Sequence, residues 1–172
     1  AESSARRPAI EDASRALAQD VQSERGLLGA ILLTRGAEEF AILMSSLPPL
    51  LPQDFSTSVA REIWLALVAC IECFGVVDSM LLEDELKRRG VLGANVNSAH
   101  IAACVASAIQ SYAKHYATRV LEASVVREAR RRLTNVATTM DPDVLDAEVS
   151  AVLEEVLARR KVSNSAPLLK QQ

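Results

Sequence analysis

The sequence predicts an all-α protein: a globular helical bundle followed by a long, projecting antiparallel helical hairpin. Three observations carry this. Apolar residues recur at steps of three and four along most of the 172 residues, with no alternating strand pattern and no internal repeat. Hydrophobic residues make up 49% of the chain, much of it Ala, Leu and Val, while aromatics make up only 3%, a mixture that suits close-packed helices. Finally, Tyr112 to Lys161 reads as two helical arms with one sharp break between them.

On the first arm, Tyr116, Val120, Ala123, Val126, Ala129, Leu133, Val136 and Met140 fall on one helical stripe. The opposite side carries Arg119, Glu122, Arg127, Glu128, Arg130, Arg131 and Arg132. At Met140-Asp141-Pro142-Asp143 the pattern stops. Proline cannot continue the first helix but suits the first turn of the next, with Asp141 placed to cap it. The second arm continues through Leu145, Val149, Val152 and Val156, and Leu153 and Leu157 widen its stripe. Each arm spans about 30–40 Å at 1.5 Å per residue. A hairpin of that length needs a partner for its far half, which makes Val126, Leu133, Val136, Met140, Leu145, Val149 and Val152 the candidate self-association residues.

Residues 1–20 read as a flexible N-terminal arm in which Ile10 to Asp20 suits a short helix, 21–110 as the bundle, 111–161 as the hairpin and 162–172 as a linker or tail. The first clear helix runs Val21 to Leu33, with Leu27, Leu28, Ile31 and Leu32 apolar. Gly26 and Gly29 lie inside it, each costing about 1 kcal/mol against alanine, and close approach of a neighbouring helix is the expected reason. Gly36 is expected to end this helix, a short second one follows over 37–45, and Leu47-Pro48-Pro49-Leu50-Leu51-Pro52 is a stiff apolar loop. Ser56 to Cys73 is the expected core helix, with Val59, Ile63, Ala66, Leu67, Cys70 and Phe74 on one face and Trp64 beside it, ended by Gly75. Asp78 or Ser79 caps the next helix, whose Lys87, Arg88 and Arg89 complement its C-terminal dipole before Gly90. Asn97 or Ser98 opens a last short helix through Ile109.

The net charge of −3 and a pI near 5.5 argue against general nucleic-acid binding, though not against a local basic patch. No apolar run approaches the ~18–20 residues of a membrane span. The start, Ala1 to Pro8, is polar and basic, unlike a signal peptide, so the expected location is cytoplasmic. Cys70-Ile71-Glu72-Cys73 is a C-x-x-C, but it sits near a helix end without the strand or the second ligand pair that redox or zinc chemistry needs. Cys104, His100 and His115 are scattered, so no metal is expected, and the cysteines read as ordinary helix residues. No G-x-x-x-x-G-K-[ST] occurs, and no carboxylate stands inside an apolar stripe. No catalytic or cofactor-binding residue emerges. Arg127, Arg130, Arg131 and Arg132 form the one basic run that suits a partner or nucleic acid, with a solvated helix face as the plainer reading.

Several stretches, in order and spacing, resemble the N-terminal domain of the replicative DNA helicase DnaB. Ser23-Glu24-Arg25-Gly26-Leu27-Leu28-Gly29-Ala30-Ile31-Leu32-Leu33 is close to the family's A-E-Q-x-x-L-G-x-x-L-L opening. Leu51-Pro52-Gln53-Asp54-Phe55, then Ala60-Arg61-Glu62-Ile63-Trp64, is similar to L-x-P-x-D-F and H-R-x-I-[FW]. Asp78 through Leu81-Leu82 to Glu85-Leu86-Lys87-Arg88-Arg89-Gly90 is similar to D-x-x-x-L-x-x-x-L-x-x-x-G, and Tyr116-Ala117, Val120, Glu122 and Arg127 to Y-A-x-x-V-x-E…R. The likeness runs from about residue 22 to 160. Arg25 stands for the usual Gln, Ala60 for the usual His, and the asparagine expected before Tyr116 is missing, which marks a divergent member.

The resemblance implies a bundle with a projecting hairpin. In the family, hairpins pair into dimers, three dimers form a collar above the motor ring, and the primase docks there. It therefore implies a non-catalytic assembly and docking domain with three partners: itself, as a dimer or a hexamer of three dimers, and a primase or a helicase loader. DNA contact would be indirect. ATP and Mg would belong to a RecA-like motor beyond the family's linker, not to this chain. It also implies a setting in bacterial or phage replication machinery. A stand-alone relative that regulates or loads a helicase, or a helicase-binding module similar to the primase C-terminal domain, is the alternative. A DNA-binding module using Arg127–Arg132 is the alternative of another class, and it predicts affinity falling steeply with salt.

Overall fold

The computed structural model describes residues 3–139 and 142–164. Among them are seven α-helices: α1 (Ser3–Leu32), α2 (Gly36–Ser46), α3 (Ser58–Phe74), α4 (Ser79–Arg88), α5 (Ser98–Ser107), α6 (Ala113–Thr139) and α7 (Pro142–Asn164). Single 3-10 turns lie at Pro52–Asp54 and Gln110–Tyr112. The described residues hold no β-strand, only an isolated bridge between Leu92 and Val96.

The local signals place most helix ends. Thr57, Asp78 and Asn97 cap α3, α4 and α5, their side chains accepting the N–H groups of Ala60, Leu81 and His100. Gly75 closes α3 at φ 69°, a conformation that favours glycine. Met140 and Asp141, expected as the break and its cap, lie outside the described residues, and α7 begins at Pro142.

At the N-terminus, α1 runs unbroken from Ser3 through the stretch expected as an arm over 1–20. The correction has a local cause: Ala, Leu, Glu, Arg and Gln, good helix formers, dominate residues 9–25, and no glycine intervenes before Gly26. At the other end α7 extends to Asn164, past the expected boundary at 161.

The core gathers Leu27, Leu28 and Ile31 of α1, Phe55, Ile63, Trp64 and Leu67 around α3, and Leu82 and Leu86 of α4, with Ile101 and Cys104 of α5 and Ala117 and Val120 of α6 closing it. Trp64 is buried, and its ring lies 5.2 Å from that of Phe55. The two helical glycines are both contact points. A Cβ on Gly26 would lie 2.8 Å from the Tyr116 ring, and one on Gly29 would lie 2.0 Å from the Cys104 carbonyl oxygen. Glycine at these positions lets α1 touch both α6 and α5.

Lys87 and Arg88 stand in the last turn of α4 and Arg89 at its C-cap, where cations complement the dipole as expected, and the two arginines have a second task. Both hold Glu85, at 2.7 Å each, and keep its carboxyl down at about 2.

Candidate assembly interface

The hairpin is built by α6, 27 residues long, and α7, 23 residues long, which at 1.5 Å per residue are about 40 and 35 Å. The base of α6 is pinned in the core by Ala113, Ala117, Val120 and Leu121. This corrects the single stripe expected along α6. One face packs on α1 and another on α7, while Val126, expected at the self-association surface, is exposed. A helix with two partners needs two faces, and small residues such as Ala113 and Ala117 allow the close approach.

The two arms are joined by both apolar and charged contacts. Val152 of α7 is buried beside Val125 and Ala129 of α6, so it is covered within its own hairpin and is not part of an open surface. Arg132 bridges the arms, pairing with Glu155 at 2.8 Å and with Glu128 at 2.9 Å. Arg131 pairs with Glu128 at 2.6 Å, and the two guanidinium groups hold the Glu128 carboxyl down at about 2.

Within the hairpin, the exposed large apolar side chains lie mainly on α7. Val149, Leu153 and Leu157 are exposed at successive steps of four, and Val144 is exposed nearer the turn. Leu153, 56% exposed, is the most open residue of this row. Of the interface residues expected from sequence, Val126 and Val149 are exposed and Leu133 is half-buried. Met140 and the side chains of Val136 and Leu145 lie outside the described part. Leu153 and Leu157 were legible as wideners of the stripe, because they continue the step of four from Val149.

The basic run is dispersed by the fold. Arg127 turns inward to Asp20 and to the Asp54 carbonyl, and Arg131 and Arg132 are occupied by glutamates, while Arg130 is exposed. An open cleft of about 350 Å³ beside the 52–54 turn is lined by Arg127, Arg131 and Arg132, but also by Asp54, Glu128 and Glu155. Three cations facing three carboxylates attract phosphate weakly.

Elsewhere the described residues hold no group of three or more His, Cys, Asp or Glu side chains placed for a metal ion. Cys70 and Cys104 are buried and Cys73 is exposed, and burial pushes the Cys104 thiol up to about 11. His115 is exposed, as expected. His100 is half-buried and does a task that sequence reasoning missed: its Nδ1 accepts the Asn97 N–H while Asn97 accepts the His100 N–H. No single helix among the described residues is long and apolar enough to cross a membrane.

Fold and surface together define an all-α domain that carries a projecting hairpin with an apolar outer edge. The sequence profile of the DnaB-like helicase N terminal domain matches residues 16–122, more than half of the chain, and the chain belongs to that family. Among solved structures it is similar to the N-terminal domain of DnaB helicase from Mycobacterium tuberculosis, at 22% identity and a TM-score of 0.58. That likeness covers 82% of this chain and 96% of the other, and it shows the shared fold. No curated protein matches.

Proposed function

We propose that this chain is a non-catalytic assembly and docking domain of a replicative DNA helicase, and that copies of it join through the hairpin. The observation that carries this is the row Val149, Leu153 and Leu157, which lies open along the outer arm of a hairpin whose base is already packed. An apolar row on a projecting element marks a partner site. A second hairpin related by a two-fold axis covers both rows at once, because each copy offers the same patch to the other. Membership of the helicase domain family supports a collar of such pairs, with a primase or helicase loader as the further partner, and with ATP and Mg handled by a separate motor. The compensated charges around Arg131 and Arg132 favour this reading over direct DNA binding.

The test is sedimentation across concentration for the wild type and for a Val149→Glu, Leu153→Glu double variant. Both residues are exposed, so the charges leave the fold of one chain intact and are buried only if two hairpins meet. The wild type is expected to associate and the variant to be monomeric with unchanged circular dichroism. A wild type that is monomeric at high micromolar concentration, or a variant that associates equally well, refutes the proposal.

A further inference from the structure

Above Leu121, the character of the contact between α6 and the globular part changes from apolar to polar. Ser124 donates its hydroxyl to Asp54 Oδ1 at 2.6 Å, and the Leu51 N–H donates to Oδ2 of the same carboxylate at 2.8 Å. One turn on, Arg127 donates from Nη2 to the Asp54 carbonyl oxygen at 2.5 Å and from Nη1 to Asp20 of α1 at 3.3 Å. The buried polar residues among those described are Glu24, Asp54 and Ser124, and all three lie at this junction. Glu24 is 1% exposed. It accepts the Ser56 N–H on Oε1, while Oε2 has no hydrogen-bond partner among the described residues. Burial raises its pKa, opposed by its bonds to Ser56 and by the Arg127 guanidinium.

This placement has a mechanical meaning. Apolar packing is non-directional and lets a lever rock. A guanidinium whose two ends hold acceptors on different elements fixes an angle, because its donors form a rigid fork. Arg127 is thus the last α6 side chain of this junction that grips the body, and the hairpin beyond it extends toward Thr139.

We propose that Arg127 is a positioning residue that sets the direction in which the hairpin leaves the globular part. The lock belongs to one chain and does not rest on self-association of the hairpin.

The experiment is a spin-label distance distribution in the full chain, between the exposed Cys73 and a label at Ser150→Cys, also exposed, with excess unlabelled protein so that only the distance within one chain is read. Cys70 and Cys104 are buried and stay unlabelled. The wild type is expected to give one narrow distance. Arg127→Gln should at least double its width. Arg131→Gln removes a cation whose partner Glu128 lies on α6 itself, and it should keep the wild-type width. If Arg127→Gln does not reach wild-type helicity, Asp20→Asn takes its place. A folded Arg127→Gln chain (or, in its place, Asp20→Asn) with wild-type width overturns the proposal, as does equal broadening by Arg131→Gln.

Discussion

Gly29→Ala is the sharpest test of how α1 meets α5. In an isolated helix this change stabilises by about 1 kcal/mol, because alanine loses less backbone freedom than glycine. Here the added Cβ would lie 2.0 Å from the Cys104 carbonyl oxygen, 2.4 Å from its carbon and 2.8 Å from the Ala108 Cβ. Unstrained contacts of this kind need roughly 3.5 Å. Two of the three atoms are backbone of α5 or its carbonyl, so no rotamer change relieves the clash, and the helices must part by about 1 Å or more. That separation also loosens Leu28, Ile101 and Cys104, which are buried around the same crossing. Overpacking of a rigid site costs about 1–3 kcal/mol and sometimes more. With no route for relief we place the net loss at about 2–4 kcal/mol, after the helix gain. Gly26→Ala is the internal control. The three atoms nearest its Cβ would all belong to the Tyr116 ring, at 2.8–2.9 Å, and a partly exposed side chain can swing away, so the net change should stay within about 1 kcal/mol. Urea melts followed by circular dichroism and by Trp64 fluorescence give both values. A Gly29→Ala chain as stable as wild type would mean that α1 and α5 do not cross here as described.

Four further expectations follow from the core, the titratable groups and the thiols. Trp64→Ala should cost about 3–5 kcal/mol in denaturant melts, since the buried ring is wedged against Phe55; a loss under about 1 kcal/mol removes it from the core. Burial raises the Glu24 pKa, so the folded state holds its proton more tightly than the unfolded state, and the group's contribution to stability falls as pH rises above its unfolded value of about 4.5. Glu24→Gln should therefore gain on wild type between acid and neutral pH, and a constant difference would contradict this. Glu128 has the opposite sign: held down at about 2, it stabilises above about 4.5 and loses that contribution as pH falls toward 2, so Glu128→Gln should flatten the acid limb of a stability-against-pH curve. In native protein one thiol of the three, Cys73, should react rapidly with an aromatic disulfide, and equal rates for all three would place Cys70 or Cys104 at the surface.

Much of the local structure was legible in the sequence. The caps Asp78 and Asn97, each expected beside a serine as the alternative, and the stop at Gly75 act within four residues of themselves, so the chain need not be folded to read them, whereas the cap Thr57 went unread because the helix was expected to start at Ser56. Gly26 and Gly29 announced a close helix contact because nothing else excuses two glycines in an apolar turn, although their partners, Tyr116 and Cys104, could not be named from spacing. The order of the motifs was enough to recognise the family.

What the tertiary structure alone decided concerns faces and partners. A period of 3.6 says that a stripe exists but not which of two neighbours covers it. Val152 therefore turned out to be inside the hairpin, and Val126 outside. Glu24 looked like one more polar residue on α1, yet it is buried by Ser56, 32 positions away. Ser124 and Asp54 meet across 70 positions, and Arg127 and Asp20 across 107. Such pairs leave no local signature, because a carboxylate or guanidinium that will be buried is spelled the same as one that will face water. Their cost and their bonds appear only when the chain has closed on itself. That is why the junction that orients the hairpin escaped the sequence, while the hairpin did not.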